Sequence, residues 1–279
     1  MFMCSGRPTG AGAHPSTILQ TFRLPEPVKG ELELRFRPTG KEKADTAAVE
    51  NTVSEIIMPK SYLAEYVQYL GNAVPKDTLN VLCVGNSFTY YWGCPAMLKE
   101  IAWNEGHYLR VKSTLKGGQT LGDHLALPVS RNVVNAGRYD FAFFQDQSQS
   151  PARYASDTTQ FDYVNTNFLK LTDRLLSRSR NCRVILESTW SFEKDDFGGF
   201  GSHAAFDSLM TIGTSMMVRN ASKIFGANDF EVSPIGRAFS IVRNENPGID
   251  LYSADSKHQS DYGSYLKACV NYLMIFRKP

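Results

Sequence analysis

The sequence predicts an α/β protein with a mainly parallel five-stranded sheet between two layers of helices. From residue 79 onward, short apolar runs alternate with longer stretches in which apolar residues recur every three or four positions. The first pattern is typical of strands buried on both faces, and the second is typical of amphipathic helices. A chain of 279 residues with 42% hydrophobic residues can bury such a core. These features together predict a three-layer α/β/α sandwich.

The short apolar runs predict strands at Val81–Val84, Leu109–Leu115, Phe141–Phe144, Val184–Leu186 and Phe230–Val232. The three- and four-residue spacing predicts helices at Pro95–Asn104, Phe161–Leu176, Phe206–Phe225 and Tyr262–Phe276. Pro95 fits the first turn of its helix, because the N–H that proline lacks has no helical partner at that position. Ser260 is the expected N-cap of the last helix, since its hydroxyl can accept a free backbone N–H.

Residues 1–75 differ in pattern and predict a β-rich segment. Glu31–Arg37 alternates polar and apolar residues, which is typical of a half-buried strand. Two further strands and a short helix before the main domain are expected at Ser16–Leu24, Glu55–Met58 and Ser61–Leu70. Three short strands are near the lower limit for an independent sheet. We therefore expect this segment to pack on the main domain, residues 76–279, or to be the remnant of a β-sandwich module.

The composition excludes some classes of protein. Thirty basic and 28 acidic residues leave a formal charge of +2, so net charge gives no support for a nucleic-acid partner. No apolar run approaches the roughly 20 residues of a membrane helix, and we expect no membrane span. Five cysteines without a C-x-x-C motif predict free thiols rather than a disulfide framework or a zinc ribbon.

The N-terminal residues do not have the charged and apolar regions of an export signal. A chain that begins here is expected in the cytoplasm, whereas a chain that has lost a signal is expected in the periplasm or outside the cell. The sequence does not indicate an oligomeric state.

Small and polar residues follow the first three strands. Gly85–Thr89 follows the first, Gly117–Thr120 the second and Gln145–Pro151 the third. Ligands bind beyond the carboxyl ends of parallel strands, so these segments are candidates for a site. Each has a plainer interpretation: a strand-to-helix turn, a glycine turn and a polar loop. The glycine pair also allows a phosphate-binding interpretation, although the P-loop pattern is absent.

Asp255 and His258 precede the last predicted helix as D-x-x-H. A carboxylate at this spacing can hold the imidazole Nδ1 and leave Nε2 free as a base, and the alternative is an ordinary surface loop. A serine, a flexible glycine, an amide and an oriented histidine at one sheet edge meet the requirements of acyl transfer.

At these residues the chain resembles the SGNH (GDSL-like) hydrolase superfamily. Gly85–Thr89 is similar to the G-N-S-F-T first block of one bacterial branch, Gly118–Thr120 to the second block, and Asp255 with His258 to the D-x-x-H block. The resemblance covers about residues 79–279 and implies a flavodoxin-like fold. It also implies a catalytic triad of Ser87, His258 and Asp255, with an oxyanion held by the backbone N–H groups of Ser87 and Gly118.

Two positions depart from the family pattern. The third block is usually G-x-N-D, whose asparagine donates to the oxyanion, and here the stretch is Gln145–Ser148. Counting from the strand end puts Gln147 at the asparagine position, with Gln145 as the alternative. The proline that usually follows the histidine is Gln259.

The resemblance implies a serine esterase that needs no metal and no organic cofactor. Relatives often remove acetyl groups from carbohydrates, so the expected substrate is a small-molecule or glycan ester. Tyr90, Tyr91 and Trp92 follow Ser87, and Trp190 follows the fourth predicted strand. Their rings could stack on a sugar or simply pack.

Two other functions remain open from the sequence. One is a non-catalytic module that keeps the fold and binds a glycan, and the other is a phosphate-handling α/β enzyme that uses Gly117–Gly118. His124 and His203 do not have the spacing of metal ligands and are expected on helix surfaces or at caps.

Overall fold

The computed structural model describes residues 77–194, 198–226 and 230–277. The strands and the helix predicted in residues 1–75 lie outside the described residues. The strands are β1 (Leu79–Gly85), β2 (Leu109–Leu115), β3 (Phe141–Phe144), β4 (Arg183–Glu187) and β5 (Phe230–Ser233). The helices are α1 (Ser87–Tyr90), α2 (Cys94–Asn104), α3 (Leu121–Ala126), α4 (Pro128–Asn135), α5 (Ser150–Ser156), α6 (Asp162–Leu176), α7 (His203–Phe225), α8 (Ile235–Glu245) and α9 (Asp261–Phe276).

The five strands form one parallel sheet in the order β2-β1-β3-β4-β5. This is the flavodoxin-like order, so the predicted fold class is confirmed. All five predicted strands are present, and their bounds differ from the prediction by two residues at most. The strand order reverses between β1 and β3, which places the crevice of the sheet beyond Gly85 and Phe144.

Alternate side chains of the three central strands, β1, β3 and β4, enter two apolar cores. Leu82 and Val84 of β1 face a core with α3 to α7, while Val81 and Cys83 face a core with α2 and α9. The central strand β3 is buried along its whole length. Helices therefore cover both faces, as the apolar strands predict.

The four predicted helices are confirmed, and Ser260 caps α9 by accepting the backbone N–H of Gly263 at 3.1 Å. Helices α1, α3, α4, α5 and α8 were not predicted, because they are short or lie in polar sequence. Cys83, Cys94, Cys182 and Cys269 are free thiols, as expected. In the described part of the chain, no helix combines the length and apolarity needed to cross a membrane.

Candidate active site

Ser87 lies at the mouth of the crevice, on a sharp turn between β1 and α1. Gly85 ends the strand, and a Cβ there would lie 2.7 Å from Gln145 Oε1, so the turn has no room for a side chain. Asn86 caps α1 by accepting the N–H of Phe88 at 3.1 Å. Ser87 thereby becomes the first residue of the helix, with 9% of its surface exposed. We call residues 85–90 the Ser87 turn.

His258 reaches Ser87 from the loop that precedes α9. Its Nε2 lies 2.7 Å from Ser87 Oγ, and its Nδ1 lies 2.5 Å from Asp255 Oδ2. The other carboxylate oxygen of Asp255 accepts the N–H groups of Lys257 at 3.0 Å and His258 at 2.9 Å. The loop is closed by a 2.8 Å bond from Ser253 N to His258 O. Three residues that the sequence predicts to act together are in contact.

The hydrogen bonds determine which ring nitrogen of His258 carries the hydrogen. Partial burial acts to raise the pKa of Asp255, but bonds from the His258 ring and from the N–H groups of His258 and Lys257 outweigh it and leave the pKa below its usual value. An ionised Asp255 can only accept, so Nδ1 of His258 carries the hydrogen. Nε2 then accepts from the hydroxyl of Ser87, the arrangement in which a histidine acts as a general base.

The turn after β2 faces the Ser87 turn. Gly118 has φ 71°, a conformation that favours glycine, and a 3.3 Å bond from Gln119 N to Lys116 O closes the turn. Asn86 Nδ2 donates to Gln119 O at 2.9 Å and so links the two turns. Within the described residues, neither the N–H of Ser87 nor that of Gly118 has an acceptor. As far as the described residues go, this edge therefore offers two backbone donors.

Gln145 was the alternative oxyanion donor, and its surroundings favour a supporting role beneath the Ser87 turn instead. The side chain is fully buried, and its Oε1 accepts Asn86 N at 2.9 Å and Thr89 Oγ1 at 3.0 Å. Its Nε2 donates to the backbone oxygen of Asp146. The amide is therefore enclosed beneath the Ser87 turn, where a substrate has no access.

Gln147 is half-buried on the loop after β3. Its Oε1 accepts Gln149 N at 3.0 Å and its Nε2 donates to Ser148 Oγ at 3.3 Å, so one amide hydrogen remains. Asp146 anchors this loop, because its Oδ1 accepts both Gln147 N at 2.7 Å and Leu121 N at 3.0 Å. Burial raises the pKa of Asp146 to about 6, against the opposing effect of those two bonds.

Trp190 has the surroundings of a packing residue, which is the second of the two interpretations that the sequence leaves open. The side chain is fully buried between Phe88 and Phe239, with ring centroids 4.8 Å and 4.2 Å away. Its Nε1 donates to Lys257 O at 3.0 Å. Trp190 therefore supports the loop that carries His258.

Tyr91 and Trp92 have different surroundings. The Tyr91 side chain is buried and stacks on the His258 ring, with centroids 4.2 Å apart and planes 10° apart, so it contacts the histidine rather than an open surface. Trp92 is 37% exposed, and its Nε1 donates to Gln259 O at 3.1 Å. Of the predicted aromatic residues, Trp92 is therefore the one that a ligand can reach.

His124 is a further residue of this edge, and its predicted place on a helix surface is wrong. The ring is fully buried, with Nε2 at 2.9 Å from Gly85 O and Nδ1 at 2.8 Å from Ser130 Oγ. Because a carbonyl only accepts, Nε2 carries the hydrogen. Burial lowers the pKa of His124, so the ring is neutral and holds the end of β1.

A buried ion pair beneath the Ser87 turn was not predicted. Lys267 Nζ lies 2.6 Å from Glu187 Oε2 and 2.9 Å from Phe88 O, and both charged side chains are inaccessible to solvent. Within residues 77–194, 198–226 and 230–277, no three His, Cys, Asp or Glu side chains come together in a way that could hold a metal ion.

No protein-family model matches the sequence, and no match is found among curated proteins. Solved structures do share the fold. A DUF4886 family protein from Bacteroides uniformis superposes with a TM-score of 0.56 at 16% identity, covering 72% of this chain and 84% of that one. Two acetyl xylan esterases are also similar, both at 14% identity. Axe2 from Geobacillus stearothermophilus has a TM-score of 0.51 and coverages of 72% and 95%, and AlAXEase has 0.53 with 71% and 100%.

Proposed function

We propose that this chain is a serine esterase of the SGNH hydrolase type, which hydrolyses a carboxylic ester through an acyl-enzyme. The observation that carries the proposal is the unbroken chain of hydrogen bonds from Asp255 through His258 to Ser87, at 2.5 Å and 2.7 Å. Residues more than 165 positions apart in sequence meet with the donor and acceptor directions that nucleophilic catalysis needs.

In the first step Ser87 Oγ attacks the ester carbonyl carbon while His258 Nε2 accepts its proton. The resulting imidazolium is stabilised by the ionised Asp255 on one edge and by the ring of Tyr91 on one face, because a cation is attracted to an aromatic face. His258 then gives the proton to the leaving alcohol. In the second step His258 activates a water molecule that releases the acid and restores Ser87.

The developing oxyanion is held by the backbone N–H groups of Ser87 and Gly118. Both are free of other acceptors in the described part of the chain, which supports this role. Gln147 is the proposed third donor through its remaining amide hydrogen. Losing one such donor typically lowers turnover by about 10²–10³-fold.

The proposed substrate is an O-acetyl ester of a carbohydrate. Support comes from the two acetyl xylan esterases that share the fold, and from the exposed indole of Trp92, five residues after Ser87. An aromatic face of this kind can pack against the apolar face of a sugar ring.

The test is hydrolysis of p-nitrophenyl acetate together with acetate release from acetylated oligosaccharides. We expect both activities in the wild-type protein and at least about a 10³-fold loss in Ser87→Ala with an unchanged fold. Hydrolysis by Ser87→Ala at the wild-type rate would refute the assignment of the nucleophile. Binding of an oligosaccharide without any hydrolysis would favour the non-catalytic glycan-binding module instead.

A further inference from the structure

Beneath the Ser87 turn lies a buried polar cluster of five side chains that connects four parts of the fold. We call it the floor cluster, and its members are Lys267 and Asn271 of α9, Glu187 of β4, Gln145 after β3 and Thr89 of α1. All are buried, and Lys267 and Gln145 have no exposed surface.

Lys267 is the centre of the floor cluster. Its Nζ contacts Glu187 Oε2 at 2.6 Å, Phe88 O at 2.9 Å and Thr89 Oγ1 at 3.0 Å. A lysine ammonium has three hydrogens, so every donor has a partner. The other oxygen of Glu187 accepts Asn271 Nδ2 at 2.7 Å, so both charges are fully bonded.

The directions of the bonds can be worked out from one end to the other. Lys267 can only donate, so Thr89 Oγ1 accepts from it. The hydroxyl of Thr89 has two acceptors, Gln145 Oε1 at 3.0 Å and Glu187 Oε2 at 3.4 Å, and the shorter contact joins it to Gln145. Gln145 Oε1 also accepts the N–H of Asn86 at 2.9 Å. The cluster therefore ends on the N–H of Asn86 and on the C=O of Phe88, the residues on either side of Ser87.

The buried ion pair is not an efficient way to raise the free energy of unfolding. Removing two charges from water costs several kcal/mol per ion, and apolar residues of similar size usually stabilise a core as well or better. Helix α1 has four residues, which is too short to hold its own geometry. The floor cluster supplies hydrogen-bond partners for the backbone on both sides of Ser87 and does not use the N–H of Ser87 itself.

We propose that Lys267 and Glu187 are positioning residues, which hold the Ser87 turn in the geometry for attack and oxyanion binding. The inference rests on the proposed esterase function and adds residues to it that do not touch the substrate. Misplacing a reacting group by about 1 Å can lower the rate by about 100-fold. Loss of the contacts that anchor the Ser87 turn should therefore lower kcat measurably.

The test replaces both charges at once, because a single substitution would leave a buried charge without its partner. In Lys267→Met with Glu187→Gln, we expect kcat for p-nitrophenyl acetate to fall by about 10- to 100-fold. KM should change by less than about twofold, because the residues do not contact the substrate. The rate at which a fluorophosphonate labels Ser87 should fall in parallel.

A matched control lies at the other end of the same strand. Arg183 at the start of β4 pairs with Glu231 of β5 at 2.5 Å, with both side chains partly exposed. Arg183→Met with Glu231→Gln removes a charge pair of the same strand and should leave kcat and labelling unchanged. Equal loss of kcat in both double variants, or wild-type kcat in the Lys267 and Glu187 variant, would overturn the proposal.

A second variant keeps the experiment decisive if the double variant does not fold. Thr89→Val has nearly the same shape and keeps the ion pair, but it breaks the path from Lys267 to Gln145. We expect a fall in kcat of about fivefold or more, and faster hydrogen–deuterium exchange in residues 86–90. Unchanged kcat together with unchanged exchange would contradict the positioning role.

The same exchange measurement separates this inference from the esterase proposal. If the wild-type protein hydrolyses no ester and is not labelled, the esterase proposal fails. Exchange in residues 86–90 then decides the present inference alone: faster exchange in the variants supports the anchoring of the turn, and equal exchange overturns it.

Discussion

The middle of the sheet and its carboxyl edge differ in what fills the space between elements. Within β1, β3 and β4, apolar side chains such as Leu82, Phe143 and Leu186 pack into the two cores without polar contacts. One or two residues further along the same strands, buried side chains such as Gln145 and Glu187 are hydrogen-bonded. Apolar burial gives most of the stability but no direction, whereas hydrogen bonds fix positions.

The difference suggests that substitutions in the two regions should have separable effects. Changes in the middle of the sheet should alter the free energy of unfolding, and changes at the edge should alter turnover. The two histidines of the edge sharpen the comparison further, because both lie next to the Ser87 turn. His258 contacts Ser87 Oγ, whereas His124 contacts Gly85 O from inside the core.

The largest expected effect is that of His258→Gln. We expect kcat for ester hydrolysis to fall by at least about 10³-fold, because the base is lost, with the free energy of unfolding changed by less than about 1 kcal/mol. Steady-state kinetics and urea unfolding measure the two quantities. His124→Gln is the matched control and should show the reverse: a loss of about 1–3 kcal/mol of stability, because Gly85 O loses a buried donor, with most of the activity retained. Strong loss of turnover only in the His124 variant would contradict the assignment.

The next largest effect is expected for Phe168→Ala in the core beneath β3. Phe168 is fully buried and packs edge-on against Phe144. Removing its ring should lower the free energy of unfolding by about 3–5 kcal/mol. The kcat of the folded fraction should stay within about twofold of wild type, measured below the melting temperature. Phe168→Leu is the milder control. A large change in kcat with either variant would contradict the claim that the core determines stability and the edge determines turnover.

The sequence was sufficient to predict the strands in the middle of the sheet, but it predicted only some of the contacts at the carboxyl edge. Short apolar runs located all five strands, and the D-x-x-H spacing placed Asp255 on His258. It could not show that Lys267 is buried, because its partner Glu187 is 80 positions away and pairing over that distance has no local pattern. Ser260, Ser264, Lys267 and Asn271 do recur at helical spacing, and this polar stripe on α9 was an available signal.

The burial of His124 escaped prediction for a related reason, because its ring is enclosed by contacts such as that with Gly85, which is 39 positions away. For Trp190, the sequence left packing open as one of two interpretations, and it could not decide between them. Helix α3 was predictable in principle, because Thr120 and Asp123 form a capping box at its start.

A smaller effect is expected from the buried carboxyl group of Asp146. Its pKa of about 6 lies above the value near 3.8 expected for a free aspartate. Between these values the folded protein binds more protons than the unfolded chain, so stability falls as the pH rises. Asp146→Asn removes this dependence, and its stability relative to wild type should increase by on the order of 2–3 kcal/mol from pH 4 to pH 7. Urea unfolding at each pH measures the difference, and parallel curves would contradict the expectation.

Asp123 provides a control with the opposite sign. Hydrogen bonds from the backbone and the side chain of Thr120 lower its pKa, so it stabilises the fold at neutral pH and loses that contribution as the pH falls through its folded value. Asp123→Asn should therefore be less stable than wild type at neutral pH and should approach it in acid.

The smallest effect is expected at Tyr91. Replacing it with leucine removes the aromatic face next to the His258 imidazolium, which is worth about 1 kcal/mol, so kcat should fall by about fivefold. Tyr91→Phe keeps the face and should retain nearly full activity. Equal activity of the leucine and phenylalanine variants would show that the ring contributes only packing.

The most direct test of the account is covalent labelling of the protein with a fluorophosphonate, followed by peptide mapping. We predict one label per chain, located on Ser87, with labelling abolished in Ser87→Ala and at least about 10²-fold slower in His258→Gln. A label on another residue, or labelling of Ser87 that is as fast without His258 as with it, would contradict the central claim that the histidine activates this hydroxyl.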